Sequence, residues 1–180
     1  MATDMMEKAR IARGLCEKSL WLEALTFAQK WHAENPADAK ALFYQGVALA
    51  AMGRLLEAHT KYRRALELDA TDFKVWNNLA ALLFEKMKRP VEAIRCLDEA
   101  LKIDPANPIG WANLASMNGQ LGRHAQALAS AERALTLDPQ SAEALLHRAR
   151  AAQKLGKTEI FQDATAALAA LPPEQFRRIR

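Results

Sequence analysis

Apolar residues recur along this chain at helical spacing and are interrupted at short intervals by turns. Trp76, Leu79, Ala80 and Leu83 fall at i, i+3, i+4 and i+7, which places them on one face of a helix. After a turn, Ala93, Leu97 and Ala100 continue with spacings of 4 and 3, predicting a second amphipathic helix. Small residues among these positions have a steric meaning, because only Gly or Ala lets two crossing helices approach to about 8–10 Å. The larger Leu42, Trp76, Trp111 and Leu145 are expected to fill the space towards the neighbouring pair of helices.

The two-helix pattern is periodic. Helix-ending turns read Asn35-Pro36, Asp69-Ala70, Asp104-Pro105 and Asp138-Pro139, with spacings of 34, 35 and 34. Ala24, Ala58, Ala93 and Ala127 share those spacings, and Ala12, Gly46, Ala80, Ala115 and Ala149 step by 34, 34, 35 and 34. Three series with one period define an array of helix hairpins. The single extra residue must lie between Ala80 and Ala93 and is predicted in the turn around Lys86 to Pro90. Proline after the second helix stops it, because the ring blocks continuation.

The best-developed unit reads Trp76-Asn77-Asn78-Leu79-Ala80, then Val91-Glu92-Ala93, then Glu99-Ala100-Leu101-Lys102-Ile103-Asp104-Pro105. Its successor reads Trp111-Ala112-Asn113-Leu114-Ala115, Gln126-Ala127-Leu128 and Arg133-Ala134-Leu135-Thr136-Leu137-Asp138-Pro139. These residues, with Gly46, Gly53, Ala58, Tyr62, Ala65 and Leu66 of the preceding unit, resemble a tetratricopeptide repeat protein. The resemblance implies an all-α, right-handed superhelical solenoid of stacked antiparallel hairpins, about ten helices in all. The array divides as 5–38, 39–72, 73–107, 108–141 and a degenerate 142–172, followed by a capping tail, 173–180. The ends depart from the pattern. Lys8 stands where a large apolar residue belongs, Trp31 where a small one belongs, and Phe161 and Leu168 replace alanines, as expected of repeats with a neighbour on one side only.

Composition narrows the function. The chain has 180 residues, 51% of them hydrophobic, which suffices for a core and excludes disorder as the main state. No apolar run long enough to span a bilayer occurs, and no membrane insertion is expected. No secretory signal is visible at the N-terminus, and Cys16 and Cys96 make no disulfide framework, so the expected location is cytoplasmic. With 25 basic and 21 acidic residues the net charge is +4, too mild to demand nucleic acid. The basic clusters Lys61, Arg63, Arg64 and Arg177, Arg178, Arg180 lack interleaved aromatics for base stacking, and no nucleic-acid partner is expected.

No cofactor or metal is expected either. His32, His59, His124 and His147 are scattered among units, and no phosphate loop or dinucleotide fingerprint occurs. Both cysteines read as small buried residues, and an open array rarely closes a catalytic pocket. The chain is therefore read as non-catalytic.

The resemblance further implies that the first helix of each hairpin lines a concave groove. Positions two before the Gly/Ala site are then Arg10, Tyr44, Asn78, Asn113 and His147; those one after are Arg13, Val47, Ala81, Ser116 and Arg150. Asn78 and Asn113 carry amides that both donate and accept, and so can satisfy the backbone of an extended peptide; local packing is the alternative. Tyr44 and Phe43 are candidate anchors for apolar partner side chains, with Tyr44 expected to be the exposed member. Lys40, Lys74, Arg13 and Arg150 are candidate contacts for acidic groups, and His147 completes the candidate peptide-binding set. The family's two-lysine clamp for a terminal carboxylate is absent: Ala9, Tyr44 and Asn78, or Phe43 and Val47, occupy its positions in the registers tested. The expected function is a protein-interaction scaffold or adaptor that binds an extended segment of a protein or peptide partner. The alternatives are a secretion-type chaperone for a hydrophobic client and a self-assembling scaffold, with Trp21, Trp31 or Phe176 mediating self-association.

Overall fold

The computed structural model describes residues 2–172, so the tail 173–180 and its Phe176 and arginines lie outside the described residues. Ten α-helices follow one another: α1 (Ala2–Glu17), α2 (Trp21–Glu34), α3 (Ala39–Ala51), α4 (Leu55–Leu68), α5 (Phe73–Ala81), α6 (Pro90–Ile103), α7 (Pro108–Gln120), α8 (His124–Leu137), α9 (Ala142–Lys154) and α10 (Thr158–Ala169). A π-helical turn, Leu82–Lys86, extends α5. No strand occurs among the described residues. The helices gather into two compact units that divide between Ile103 and Asp104. In the first, each helix of α1–α6 packs on its chain neighbour, and α3 also touches α1. In the second, α7 packs on α8 and α9, α8 on α9, and α9 on α10.

Polar residues at repeat spacing start the first helix of successive hairpins. Asp38, Asp72 and Asn107 accept from the backbone N–H of Lys40, Lys74 and Ile109, and Ser141 from that of Ala144. Each bond satisfies a donor that the helix start leaves unpaired. Within the hairpins, residues in the left-handed backbone region make the turn: Ser19 (φ 57°), Gly53 (φ 76°), Lys88 (φ 56°), Gly122 (φ 74°) and Gly156 (φ 70°). The next N–H reaches back across the turn in each, as in Arg54 to Leu49 (2.9 Å), Arg123 to Asn118 (2.8 Å) and Lys157 to Ala152 (2.9 Å).

The third hairpin shows where the extra residue went. Arg89 N–H reaches Leu83 (2.8 Å), one residue further back than its counterparts, and Met87 N–H reaches Leu82 (3.1 Å). The insertion is taken up as a wider turn of helix before Lys88, rather than by lengthening the connection to Pro90. The π turn leaves Leu82, Leu83 and Phe84 buried.

The core is built on small residues at the crossings. Ala12, Ala24, Ala58, Ala80, Ala93 and Ala115 are fully buried. At Gly46 the approach is tightest: a Cβ there would lie 2.5 Å from Tyr62 Cε1, and the Tyr62 ring is itself buried. Trp31 fills the core and donates from Nε1 to the buried Asp38 carboxylate (3.0 Å), tying α2 to the start of α3. Lys8 is held by Glu34 (2.8 Å) and Asp4 (3.1 Å), so its charge is paired between α1 and α2.

Gly46→Ala gains about 1 kcal/mol of helix propensity but forces the Tyr62 ring to move, at a cost of about 1–3 kcal/mol. A net loss of about 1 kcal/mol is expected by denaturant titration, and it should shrink when Tyr62→Leu opens the space. At Lys88 the left-handed backbone penalises a side chain, so Lys88→Gly should stabilise the fold by about 0.5–1 kcal/mol. An unchanged midpoint would show that the third hairpin is unstrained there.

Candidate functional site

In the first unit the charged candidate positions of the first helices are exposed while Phe43 and Tyr44 are not. Lys40 and Lys74 stand exposed in the first turns of α3 and α5, and Arg13 is exposed on α1. Tyr44 is only 8% exposed and Phe43 9%. They belong to a ring cluster in which Phe43 meets Tyr44 edge-on (5.1 Å between centroids), Tyr44 lies near Trp31 (6.2 Å) and Phe43 near Tyr62 (6.2 Å). The expectation of an exposed Tyr44 anchor is therefore corrected. Helix α3 contacts α1, α2 and α4 together, which leaves it no wide open face for an aromatic side chain. A side-chain hydrogen bond from the Arg13 guanidinium to the Tyr44 hydroxyl raises the Arg13 pKa. Trp31 is likewise buried, so it cannot mediate self-association; Trp21 is half-buried.

Asn78 is half-buried on α5, and its Nδ2 donates to the Lys74 carbonyl of its own helix (2.8 Å). One amide donor is thus committed locally. Asn113, on α7 of the second unit, is also half-buried.

The second unit contains a concavity. A cleft of about 400 Å³ lies between α7 and α9, with the start of α8 at its edge. Ser116 and Gln120 line it from α7; His147, Arg150, Gln153 and Lys154 line it from α9; and His124 reaches it from α8. Ala115, Gly119 and Ala151 supply an apolar lining. Two of the expected residues, His147 and Arg150, thus meet in one place. Gln120 and Lys154 were missed by the sequence reading, although they follow Ser116 and Arg150 by four residues and so share their helix face. His124 joins only through the packing of α8. Gln120 Nε2 donates to Ser116 Oγ (3.3 Å).

Burial, and then the Arg150 charge, push the His147 pKa down to about 4, so the ring is neutral near pH 7. Burial also lowers His32 and His59, helped by basic neighbours, and raises the Cys96 thiol to about 11. That thiol is protonated and inert at neutral pH. Among the described residues no group of three or more His, Cys, Asp and Glu side chains could hold a metal ion. No helix among them is long and apolar enough to cross a membrane.

Comparison with known proteins agrees with this architecture. Residues 78–142 and 39–72 each match the tetratricopeptide repeat family, and together they cover more than half of the chain. A curated relative, "Protein STIP1 homolog" of Dictyostelium discoideum, is 32% identical over 90 residues, which is 50% of this chain and 15% of that protein. "Tetratricopeptide repeat-containing protein trd-1" of Caenorhabditis elegans is 27% identical over 109 residues, 61% of this chain and 14% of that one. The chain therefore spans about one seventh of the length of the curated relatives it matches. Among solved structures, Pseudomonas aeruginosa pilF aligns with a TM-score of 0.84 at 24% identity, over 91% of this chain and 74% of that one. A MamA structure aligns with a TM-score of 0.75 at 21% identity, over 95% and 96%. YrrB, described as "a TPR protein with an unusual peptide-binding site", aligns at 0.71 and 17%, over 94% and 87%.

The fold is thus that of the all-α solenoid of helix hairpins used by protein-binding scaffolds. The chain belongs to the tetratricopeptide-repeat family.

Because the folded His147 pKa (about 4) lies below its ordinary 6.5, the unfolded chain binds the proton first as pH falls. The stability linked to this group is fully present above about pH 6.5 and is lost as pH drops towards 4, by at most ~3 kcal/mol. Denaturant titrations across that range should show the decline flattened in His147→Gln; parallel curves for both proteins would refute the assignment.

Proposed function

We propose that this chain is a non-catalytic scaffold that receives an extended segment of a partner protein along its first helices. The observation that carries the reading is the cleft between α7 and α9, where successive first helices present Ser116, His147 and Arg150 to one concavity. In the first unit, exposed Lys40, Lys74 and Arg13 offer charge on the corresponding elements. Asn78 and Asn113 contact the partner's backbone, each with whatever amide capacity its local bonds leave, and the cations meet its acidic groups. Phe43 and Tyr44 serve from below, as the packed support that fixes α3 and orients Arg13. The likeness in fold to a structure described as having a peptide-binding site is consistent with this use.

A second reading, self-association, has its own observation. Leu22, Leu56 and Val91 are each the second residue of a second helix in the first unit, and they are 64%, 74% and 59% exposed. A repeated apolar row of this kind suits contact with another protein surface.

Affinity capture from native extract, comparing wild type with Asn78→Ala, Asn113→Ala, tests the reading. A partner held by wild type and lost about tenfold or more from the folded variant is expected. Equal recovery would overturn the amide contacts, and recovery of the chain alone would favour self-association.

A further inference from the structure

The charges around the α7–α9 cleft are arranged differently from those on α1, α4 and α6. Arg10, Arg54, Arg64, Arg89 and Lys102 each pair with a glutamate three residues away, at 2.6–2.7 Å. Arg150 and Lys154 have no acidic residue at three or four positions in either direction along the chain. Among the described residues neither forms an ion pair, and both are exposed. No carboxylate lines the cleft. His124, the first residue of α8, lies at its edge, and α8 has no acidic residue in its first turn, so the positive end of that helix is uncompensated there.

Other features limit what fits. The His147 ring is half-buried beside Arg150 and so hydrogen-bonds as a neutral group. Ser116 and Gln120 supply a hydroxyl and an amide, and the wall between them and α9 is methyl and backbone surface from Ala115, Gly119 and Ala151. Two exposed cations, neutral donors and a short apolar wall match one carboxylate on a slim stem. A doubly charged phosphate calls for more fixed donors than two exposed side chains provide.

We propose that this cleft seats a single glutamate or aspartate side chain of the bound partner segment, with Arg150 and Lys154 as its charge partners. The proposal rests on the scaffold reading and specifies the partner's chemistry at one point. The seat is built from a first helix, the start of a second helix and the C-terminal half of the next first helix. Carboxylate binding here weakens with added salt, since both cations are exposed.

The test is an amide-resolved NMR titration of the full chain with the probe peptide N-acetyl-Ala-Glu-Ala-amide. Its glutamine counterpart and inorganic phosphate serve as comparisons. Shifts from the glutamate probe should centre on 115–120 and 147–154, with affinity about tenfold above that of the glutamine probe, the size expected for charge-assisted hydrogen bonds. Arg150→Gln and Lys154→Gln should each remove most of that preference, whereas Lys154→Arg should retain it. Unchanged thermal transitions in these exposed variants show that the fold is intact. Equal affinity for the glutamate and glutamine probes, shifts centred elsewhere, or stronger binding of phosphate at the same residues would each overturn the carboxylate seat. If the seat fails while the Asn78→Ala, Asn113→Ala variant still loses its partner, the scaffold reading stands without it. Loss of selectivity in Arg150→Gln with capture unaffected by the asparagine changes would leave the seat and remove the amide contacts.

Discussion

Two helices can cross closely only where one of them presents almost no side chain, and this chain meets that constraint once per hairpin. At Gly46 the backbone of α3 lies against the ring of Tyr62 with no room for a methyl group. Ala12, Ala80 and Ala115 hold the same position on α1, α5 and α7 with complete burial. Close crossing brings the larger residues of each helix into contact with the next, which is how Leu42, Leu49, Leu79 and Leu97 become buried without long-range strand pairing or a disulfide. Every candidate position on the first helices takes its direction from these crossings.

The insertion in the third unit illustrates how backbone bonding overrides the simplest placement of an extra residue. A π turn absorbs the extra residue inside the helix, and the Met87 and Arg89 N–H groups still reach back to Leu82 and Leu83. The small residue conserving the next crossing, Ala93, is then returned to register and is fully buried. The left-handed residue that closes the hairpin is Lys88 where the second, fourth and fifth hairpins use glycine, so the same geometry is retained by packing at some cost in backbone strain.

Helix α3 shows the competition between core and surface most clearly. Its aromatic residues sit where an open groove could display them, yet three neighbouring helices enclose them. Burying Phe43 and Tyr44 contributes about 1.5–3 kcal/mol each, far more than an exposed ring could contribute in the free chain. What remains on the accessible face is polar: Arg13 held by the Tyr44 hydroxyl, Lys40, and, in the second unit, Arg150 with its neutral histidine neighbour.

The sequence by itself determined the repeat, the two-helix unit, the small residues at the crossings and the absence of any motif for catalysis. These depend on local spacing, and helical periodicity converts spacing into a face without further information. The capping residues Asp38, Asp72, Asn107 and Ser141 carry the same period and were equally readable. The sequence also placed His147 and Arg150 on a shared helix face. It did not reveal that Tyr44 is covered, that Trp31 is locked to Asp38, or that His124 joins the cleft from another helix. Those outcomes were decided by tertiary structure, because burial and the meeting of side chains depend on how many neighbours pack on a helix, a property that no spacing within that helix contains.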